Sequence, residues 1–126
     1  MHQFEVHVQN KVGALAEVAE VLANSMVNII SVATEDRGEG LGIIKLVVDD
    51  EKTARKALKL AGFDFDEYEI IGIRLLDKPG ELAKLSRALA NMGVDIQSVF
   101  VLNKDKGYTE LALKVSDLGK VKKFIE

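Results

Sequence analysis

The sequence predicts an α+β fold of two ferredoxin-like βαββαβ modules with antiparallel sheets, the second of which lacks its last strand. Three observations lead to this prediction. The chain contains an internal repeat, the same hydrophobic periodicities recur in both copies, and turn residues stand at matching positions.

The repeat appears when the sequence is shifted against itself by 67 residues. Residues 1–59 then lie over residues 68–126 without a gap, and 16 of the 59 pairs are identical. The identical pairs fall at equivalent points of the periodic pattern. We therefore predict two modules, residues 1–69 and residues 70–126.

Apolar spacing predicts the first strand and the first helix of each copy. Apolar and polar residues alternate over residues 1–9, which indicates a half-buried strand. The helix that follows has apolar residues at i, i+3, i+4 and i+7. The positions expected to face the core are Phe4, Val6, Val8, Leu15, Val18, Ala19 and Leu22, repeated as Ile71, Ile73, Leu75, Leu82, Leu85, Ser86 and Leu89.

Two further strands and a second helix are predicted in each copy. A second strand is expected over about residues 27–34 and 94–102, then a glycine-bearing turn over 37–42 and 105–107. Asp50 and Asp117 each stand just before the predicted second helix of their copy, at the position of an N-cap. The inward positions of the third strand and second helix are Ile44, Leu46, Val48, Ala54, Ala57, Leu58 and Ala61, and then Leu111, Leu113, Val115, Leu118, Val121, Phe124 and Ile125.

A fourth strand, over about residues 63–70, is predicted only in the first copy. Two right-handed β-α-β crossings in one antiparallel sheet give the order 4-1-3-2. Without a fourth strand, the first strand of the second copy keeps an unpaired edge. We expect a strand from the other copy or from another chain to cover that edge.

Composition excludes several classes of function. The net charge of -3 argues against a nucleic-acid partner, and the expected central strands carry no aromatic platform. The absence of cysteine removes thiolate metal sites and thiol catalysis. No apolar run approaches the roughly 20 residues that span a membrane, and the start does not resemble a signal peptide. We expect a cytoplasmic protein that has no membrane partner.

No catalytic set is visible. His2 and His7 are the only histidines, and their odd separation puts them on opposite faces of a strand. The serines have no histidine near them in the pattern. We therefore expect no catalytic residue, no metal and no cofactor, and we keep an enzyme on this scaffold as a minor alternative.

The turn between the first strand and first helix carries the functional signal. It reads Asn10-Lys11-Val12-Gly13-Ala14-Leu15 in one copy and Asp77-Lys78-Pro79-Gly80-Glu81-Leu82 in the other. Glycine allows a sharp turn and close approach, and proline suits a helix start. Free N–H groups at a helix N-terminus suit a carboxylate. Asn28-Ile29 and Asp95-Ile96 open the second strands, where a turn-forming role is the plain alternative.

At these residues the sequence resembles the ACT domain, in two tandem copies over the whole chain. The resemblance rests on the Asn/Asp-x-x-Gly-x-Leu turn and on the Asn/Asp-Ile opening of strand two. It implies a regulatory protein that binds an amino acid where two modules pack side by side, with the loop of one module against strand two of its neighbour. The implied ligand-binding residues are Asn10, Val12, Gly13, Ala14, Leu15, Asn28, Ile29, Asp77, Pro79, Gly80, Glu81, Leu82, Asp95 and Ile96.

The two copies differ in ways that favour the first loop. The amides of Asn10 and Asn28 can donate and accept, whereas Asp77 and Asp95 only accept when ionised and repel a carboxylate. Glu81 adds to that repulsion. The resemblance also implies a homodimer and an amino-acid metabolic enzyme as partners. We keep open the alternative of an interaction module without a ligand, such as a detached regulatory subunit of a biosynthetic enzyme.

Overall fold

In the computed structural model, residues 1–125 are described, and the chain divides into two compact units. The first spans His2–Tyr68, and the second contains Met1 and the chain from Glu69 onward. We call these units the first and second modules. No helix within residues 1–125 is long and apolar enough to span a membrane.

The first module has the order βαββαβ, and its sheet has the order β2-β3-β1-β4. Strands β1 and β2 both pair antiparallel with β3, so the predicted order is confirmed. The elements are β1 (His2–Gln9), α1 (Ala14–Asn24), β2 (Ile29–Gly38), β3 (Leu41–Val48), α2 (Glu51–Leu60) and β4 (Asp64–Glu69).

The second module repeats this order as far as its second helix. Its sheet has the order β5-β7-β6, with β5 and β6 both antiparallel to β7. The elements are β5 (Ile71–Leu76), α3 (Glu81–Asn91), β6 (Ile96–Asp105), β7 (Tyr108–Val115) and α4 (Leu118–Ile125). Two ferredoxin-like modules with antiparallel sheets are thereby confirmed.

The core of the first module lies between its sheet and its two helices. Phe4 and Leu46 from the sheet and Leu22 and Leu58 from the helices are fully buried in one cluster. The N-cap that starts α2 is also as predicted, because Asp50 Oδ1 accepts a hydrogen bond from the Thr53 N–H at 3.1 Å. The apolar spacing therefore identified the correct faces of these elements.

The second module has a smaller core, and here the prediction for α4 was partly wrong. Val121 is fully buried, but Phe124 and Ile125, which were expected to face the core, are 48% and 44% exposed. The N-cap prediction holds, since Asp117 Oδ1 accepts from the Lys120 N–H at 3.1 Å. In the three-stranded sheet β5-β7-β6, no further strand within residues 1–125 pairs with β5.

The predicted turns between the second and third strands were too long. Both hairpins close on two residues, Glu39–Gly40 and Lys106–Gly107, whose φ angles are 56° and 76°, and 49° and 82°. Two successive positive φ angles are typical of a type I′ turn, which matches the twist of the paired strands. Arg37, Gly38, Leu41 and Gly42 accordingly belong to strands.

A charged cluster ties β1 and β4 to helix α2 in the first module. The Arg55 guanidinium donates to both carboxylate oxygens of Glu67, at 2.7 Å and 2.6 Å. The ring Nδ1 of His2 lies 2.6 Å from Glu67 Oε2. The hydrogen bonds from Arg55 outweigh partial burial and lower the pKa of Glu67 to about 2. The cluster therefore contributes pH-dependent stability.

We predict that the free energy of unfolding falls as the pH drops from about 4.5 to about 2. The folded pKa of Glu67 lies below its ordinary value of 4.5, so the stabilisation is present above 4.5 and is lost as the pH falls through the folded value. We expect a loss of about 1–2 kcal/mol after allowing for solvent screening. Urea unfolding from pH 2 to pH 6 measures it. In Glu67→Gln the free energy of unfolding should not show this decrease between pH 4.5 and pH 2. A decrease of the same size in the variant and in the unmodified chain would contradict the prediction.

Candidate functional site

The β1–α1 loop has the same backbone geometry in both modules. Gly13 and Gly80 precede their helices with φ angles of 91° each, in the left-handed region that favours glycine. The N–H of Asn10 donates to Gly40 O at 2.8 Å, and the N–H of Asp77 donates to Gly107 O at 2.8 Å. The same residue spacing in the two copies therefore produces the same turn in both modules.

This turn leaves backbone donors at the start of helix α1. The N–H of Ala14 donates to Lys11 O at 3.2 Å, and that of Glu17 donates to Gly13 O at 3.0 Å. Within residues 1–125, no acceptor takes the N–H of Leu15 or of Ala16. The first turn of α1 therefore offers two donors to an anionic group, as a helix N-terminus generally does.

Beside these donors the first module has an open cleft of about 740 Å³. It runs between the β1–α1 loop and the far ends of β2 and β3. Leu15 was predicted to face the core, but it is 41% exposed because it lies at the first helical turn, on the wall of this cleft. The lining residues are Val8, Asn10, Lys11, Gly13, Ala14, Leu15, Ala16, Thr34, Glu35, Asp36, Gly42, Ile43 and Ile44.

Gly42 keeps the cleft open where β3 crosses beneath the loop. A Cβ atom at this position would lie 3.3 Å from Glu35 O, 3.6 Å from Asn10 Cβ and 3.6 Å from Val8 Cγ2. The corresponding residue of the second module is Thr109, whose side chain is buried. The same place is therefore empty in the first module and filled by a side chain in the second.

The acidic side chains of the second loop are paired with lysines. Glu81 Oε1 lies 3.6 Å from Lys78 Nζ and 3.5 Å from Lys84 Nζ. Asp77 Oδ1 lies 3.6 Å from Lys104 Nζ. These carboxylates remain acceptors only, so the pairing reduces the repulsion of an anionic ligand without turning the loop into a donor site.

In the first module the cleft has donors on one side and carboxylates on the other. Asn10 and the N–H groups of Leu15 and Ala16 stand on the loop side. Asp36, whose Oδ1 accepts from the Gly38 N–H at 2.8 Å, and Glu35 stand at the end of β2. The Glu35 carboxylate is already paired, with Lys45 and with Arg37, each at 3.4 Å. Asp36 is therefore the carboxylate of this wall that has no cation beside it among these pairs.

Asn28 and Asp95 lie at the start of β2 and β6, and they do not line the cleft. The Asn28 N–H donates to Asp49 Oδ1 at 2.9 Å, and the Asp49 N–H returns a bond to Asn28 O at 3.1 Å. In the second module the Asp95 N–H donates to Ser116 Oγ at 2.8 Å. Within one module, therefore, Asn28 and Asp95 extend the pairing of β2 with β3 and of β6 with β7. Ile29 and Ile96 stand opposite Val48 and Val115, and neither they nor Asn28 and Asp95 are among the residues that line the cleft.

Sequence reasoning identified the loop but missed the opposite wall. Thr34, Asp36 and Gly42 line the cleft, and the sequence analysis had selected none of them. A signal was present for Gly42, because the shifted repeat places this last residue of the predicted turn opposite a threonine. Val12, which was selected, is fully exposed and is not among the lining residues.

The two histidines lie on opposite faces of β1, as predicted. His2 contacts Glu67 of β4, whereas His7 Nε2 lies 2.8 Å from Oδ2 of Asp66, the residue before Glu67 in that strand. His7 also lines a second cleft together with Arg37 and Asp64, but the residues around that cleft include no hydroxyl nucleophile. No group of three or more His, Asp or Glu side chains within residues 1–125 could hold a metal ion.

Comparison with known proteins assigns the chain to a family. A family model described as ACT domain pair matches residues 1–123. The crystal structure of protein BT0572 from Bacteroides thetaiotaomicron is 28% identical, with a TM-score of 0.88 over 98% of this chain and 85% of that one.

More distant structures share the fold. The regulatory subunit of aspartate kinase from Thermus thermophilus, in its ligand-free form, is 16% identical, with a TM-score of 0.69 over 89% of this chain and 81% of that one. The corresponding subunit from Thermus flavus has a TM-score of 0.65 at 16% identity, with the same coverage. A search of curated proteins returned no match. The comparisons indicate no catalytic family.

Proposed function

The chain belongs to the ACT domain pair family, and from this premise we propose that it is a non-catalytic regulatory protein that binds an amino acid at the β1–α1 loop of its first module. One observation carries the proposal. The first module has an open cleft beside two unpaired helix N–H groups, whereas the second module has a buried threonine at the equivalent place.

The chemistry of the cleft suits both charged groups of an amino acid. The N–H groups of Leu15 and Ala16 and the amide of Asn10 are donors for its carboxylate. The carboxylate of Asp36 attracts its ammonium group across the cleft, whereas Glu35 is already paired with Lys45 and Arg37. Val8, Leu15 and Ile44 give the ligand side chain an apolar wall, so we propose a small or apolar amino acid.

The second module, in this proposal, supports the site and does not bind. The Gly42/Thr109 difference removes its cleft space, and Asp77 and Glu81 put carboxylates where a ligand carboxylate would lie. The expected stoichiometry is therefore one ligand per chain. Binding at Pro79, Gly80 and Leu82 is not part of the proposal.

A homodimer would complete the site. The cleft is open to solvent, and Asn28 and Ile29 lie away from it in their own module. In a dimer, strand β2 of a second copy can bring its Asn28 and Ile29 to the loop of the first, which is the arrangement that the ACT resemblance implies. We propose that ligand binding strengthens the association of the two copies, and that an amino-acid metabolic enzyme binds the ligand-bound dimer.

Calorimetric titration against each of the twenty amino acids tests the proposal. We expect saturable binding of one or a few of them, with one site per chain, and a ligand-dependent shift toward dimer in sedimentation velocity. No heat of binding at millimolar concentration from a folded sample would refute it. Co-purification with one enzyme, insensitive to every amino acid, would support the ligand-free interaction module instead.

Gly42→Thr should close the cleft and weaken binding by about tenfold or more. The new side chain enters the space beside Asn10 and Val8. The φ angle of Gly42 is not positive, but its Cβ would lie 3.3 Å from Glu35 O, so the β2 backbone must shift by a few tenths of an ångström to accept it. Thr109→Gly is the matched control, because it makes the reverse change in the module that does not bind. The same calorimetric titration measures both variants, and unchanged affinity in Gly42→Thr would place the ligand elsewhere.

A further inference from the structure

Met26 has an unfavourable backbone conformation just after helix α1. Its φ angle is 61°, in the left-handed region that glycine enters freely and that other residues enter only at an energetic cost. The repeat equivalent in the second module is Gly93, with a φ angle of 75°. The end of the helix therefore requires this conformation, but it does not require a methionine.

Packing within its own module does not explain the Met26 side chain either. The side chain is 89% exposed, so it gains little from contacts within the chain. Methionine is flexible and apolar, and such side chains are common at surfaces that bind a partner. A residue that is both strained and exposed suggests a contact with another molecule.

Strand β2, which begins three residues after Met26, is the outer edge of the first sheet. It pairs with β3, and no strand within residues 1–125 pairs with its other side. Ile30 and Val32 are 43% and 45% exposed. Residues 29–33 contain no charge and no proline that would protect this edge from pairing. A further strand can therefore add to β2 through main-chain hydrogen bonds.

Charge indicates that this further strand is β2 of a second copy. In an antiparallel pair the start of each strand lies beside the end of the other. A twofold pair centred on residues 31–32 therefore brings Asn28 of each copy close to the partner's Asp36, to which an amide can donate. Strand β6 has Asp95 in place of Asn28, so pairing β2 with β6 would bring two carboxylates together.

The same pairing brings Met26 of each copy to the cleft of its partner. Met26 lies two residues before Asn28, and the end of β2 forms a wall of the cleft that includes Asp36. The loop on the opposite wall has two exposed apolar side chains, the fully exposed Val12 and the 41% exposed Leu15. Met26 of one copy and these two side chains of the other would bury one another.

We propose that Met26 closes the amino-acid cleft of a second copy by packing over its open side against Val12 and Leu15. This inference rests on the amino-acid site proposed above. An apolar ligand side chain in the cleft adds to the surface that the partner's Met26 covers. Ligand binding and dimer formation therefore strengthen each other. The second module has Gly93 in place of Met26 and lacks this contact.

Cysteine cross-linking tests the contact directly, because the chain has no cysteine of its own. Val12→Cys and Met26→Cys are mixed and mildly oxidised, with and without the amino acids other than cysteine. We expect a disulfide-linked dimer that contains one chain of each variant. Met26→Cys mixed with Pro79→Cys is the matched control, since Pro79 is the exposed repeat equivalent of Val12. This mixture should give several-fold less cross-linked dimer.

Met26→Gly separates the strain of the residue from its contact. Glycine relieves the strain, so the first module of the dilute, monomeric chain should melt at a higher temperature. The dimer dissociation constant in sedimentation equilibrium should nevertheless rise about tenfold or more, because each dimer loses two buried side chains. Met26→Leu keeps an apolar side chain and should stay within about threefold of the unmodified chain. Gly93→Met, the reverse change, should leave the dissociation constant unaltered.

Two results would overturn the proposal. One is a Val12–Met26 cross-link no more abundant than the Pro79 control, with or without amino acids. The other is an unchanged dimer dissociation constant in folded Met26→Gly. Calorimetric binding of an amino acid to the unmodified chain would still support the proposed function in either case. A dimer that depends on Met26 in a chain that binds no amino acid would instead retain the contact and reject the proposed ligand.

Discussion

Gly13→Asp is expected to weaken amino-acid binding by roughly 10- to 100-fold. The new carboxylate stands at the N-cap position, where an aspartate side chain accepts hydrogen bonds from the first helical N–H groups. It would take the donors of Leu15 and Ala16 and repel the ligand carboxylate. Hydrogen bonds to a charged group are worth about 1.5–3 kcal/mol, which sets the size of the expected loss.

The second module supplies a matched control for this variant. Gly80 has the same φ angle of 91°, and a Cβ atom at either glycine would meet nothing within 4 Å. Gly80→Asp therefore introduces the same backbone strain and the same charge at the site that is not expected to bind. Calorimetric titration of both variants separates strain from binding. An equal loss of ligand affinity in the two variants would show that the substitutions act by disturbing the fold and not by changing the cleft of the first module.

The repeat explains why so much of the fold could be predicted. Each apolar stripe occurs twice, so Leu22 and Leu89, or Leu46 and Leu113, support each other as core positions, and all four are fully buried. The N-caps at Asp50 and Asp117 depend on local chemistry alone. These core positions and N-caps were therefore predicted correctly, whereas the hairpin turn of the first module was predicted too long.

Features that depend on distant parts of the chain were not. A β-bulge between Ile29 and Ser31 breaks the alternation of β2, so Ile29 and Val32 stand opposite Val48 and Leu46 on one face, which strict alternation does not predict. The far wall of the cleft is formed by the ends of β2 and β3. The residues of this wall lie near the loop only because β2 and β3 pair with each other and with β1. The periodicity of the sequence predicts the strands but not which of their residues lie next to the loop.

The positions at which the two modules differ distinguish the module proposed to bind a ligand from the one that is not. Met26 adopts a φ of 61° at the end of α1, where the second module has Gly93 with a φ of 75°. Gly42 and Thr109 differ in the opposite sense, since there the first module has the glycine. The loop geometry is kept in both modules, whereas the space beside it is kept only in the first.

Phe4→Ala should destabilise the first module by about 3–5 kcal/mol, the largest loss expected from any change described above. The ring is fully buried and packs on Phe65, so its removal leaves a cavity between β1, β4 and helix α2. Ile71→Ala, the equivalent change in the second module, should cost only about 1–2 kcal/mol because Ile71 is half-buried.

Urea unfolding of the two variants measures this difference, with each transition fitted separately because the chain has two compact units. If Phe4→Ala and Ile71→Ala are equally destabilising, Ile71 is as well covered in solution as Phe4.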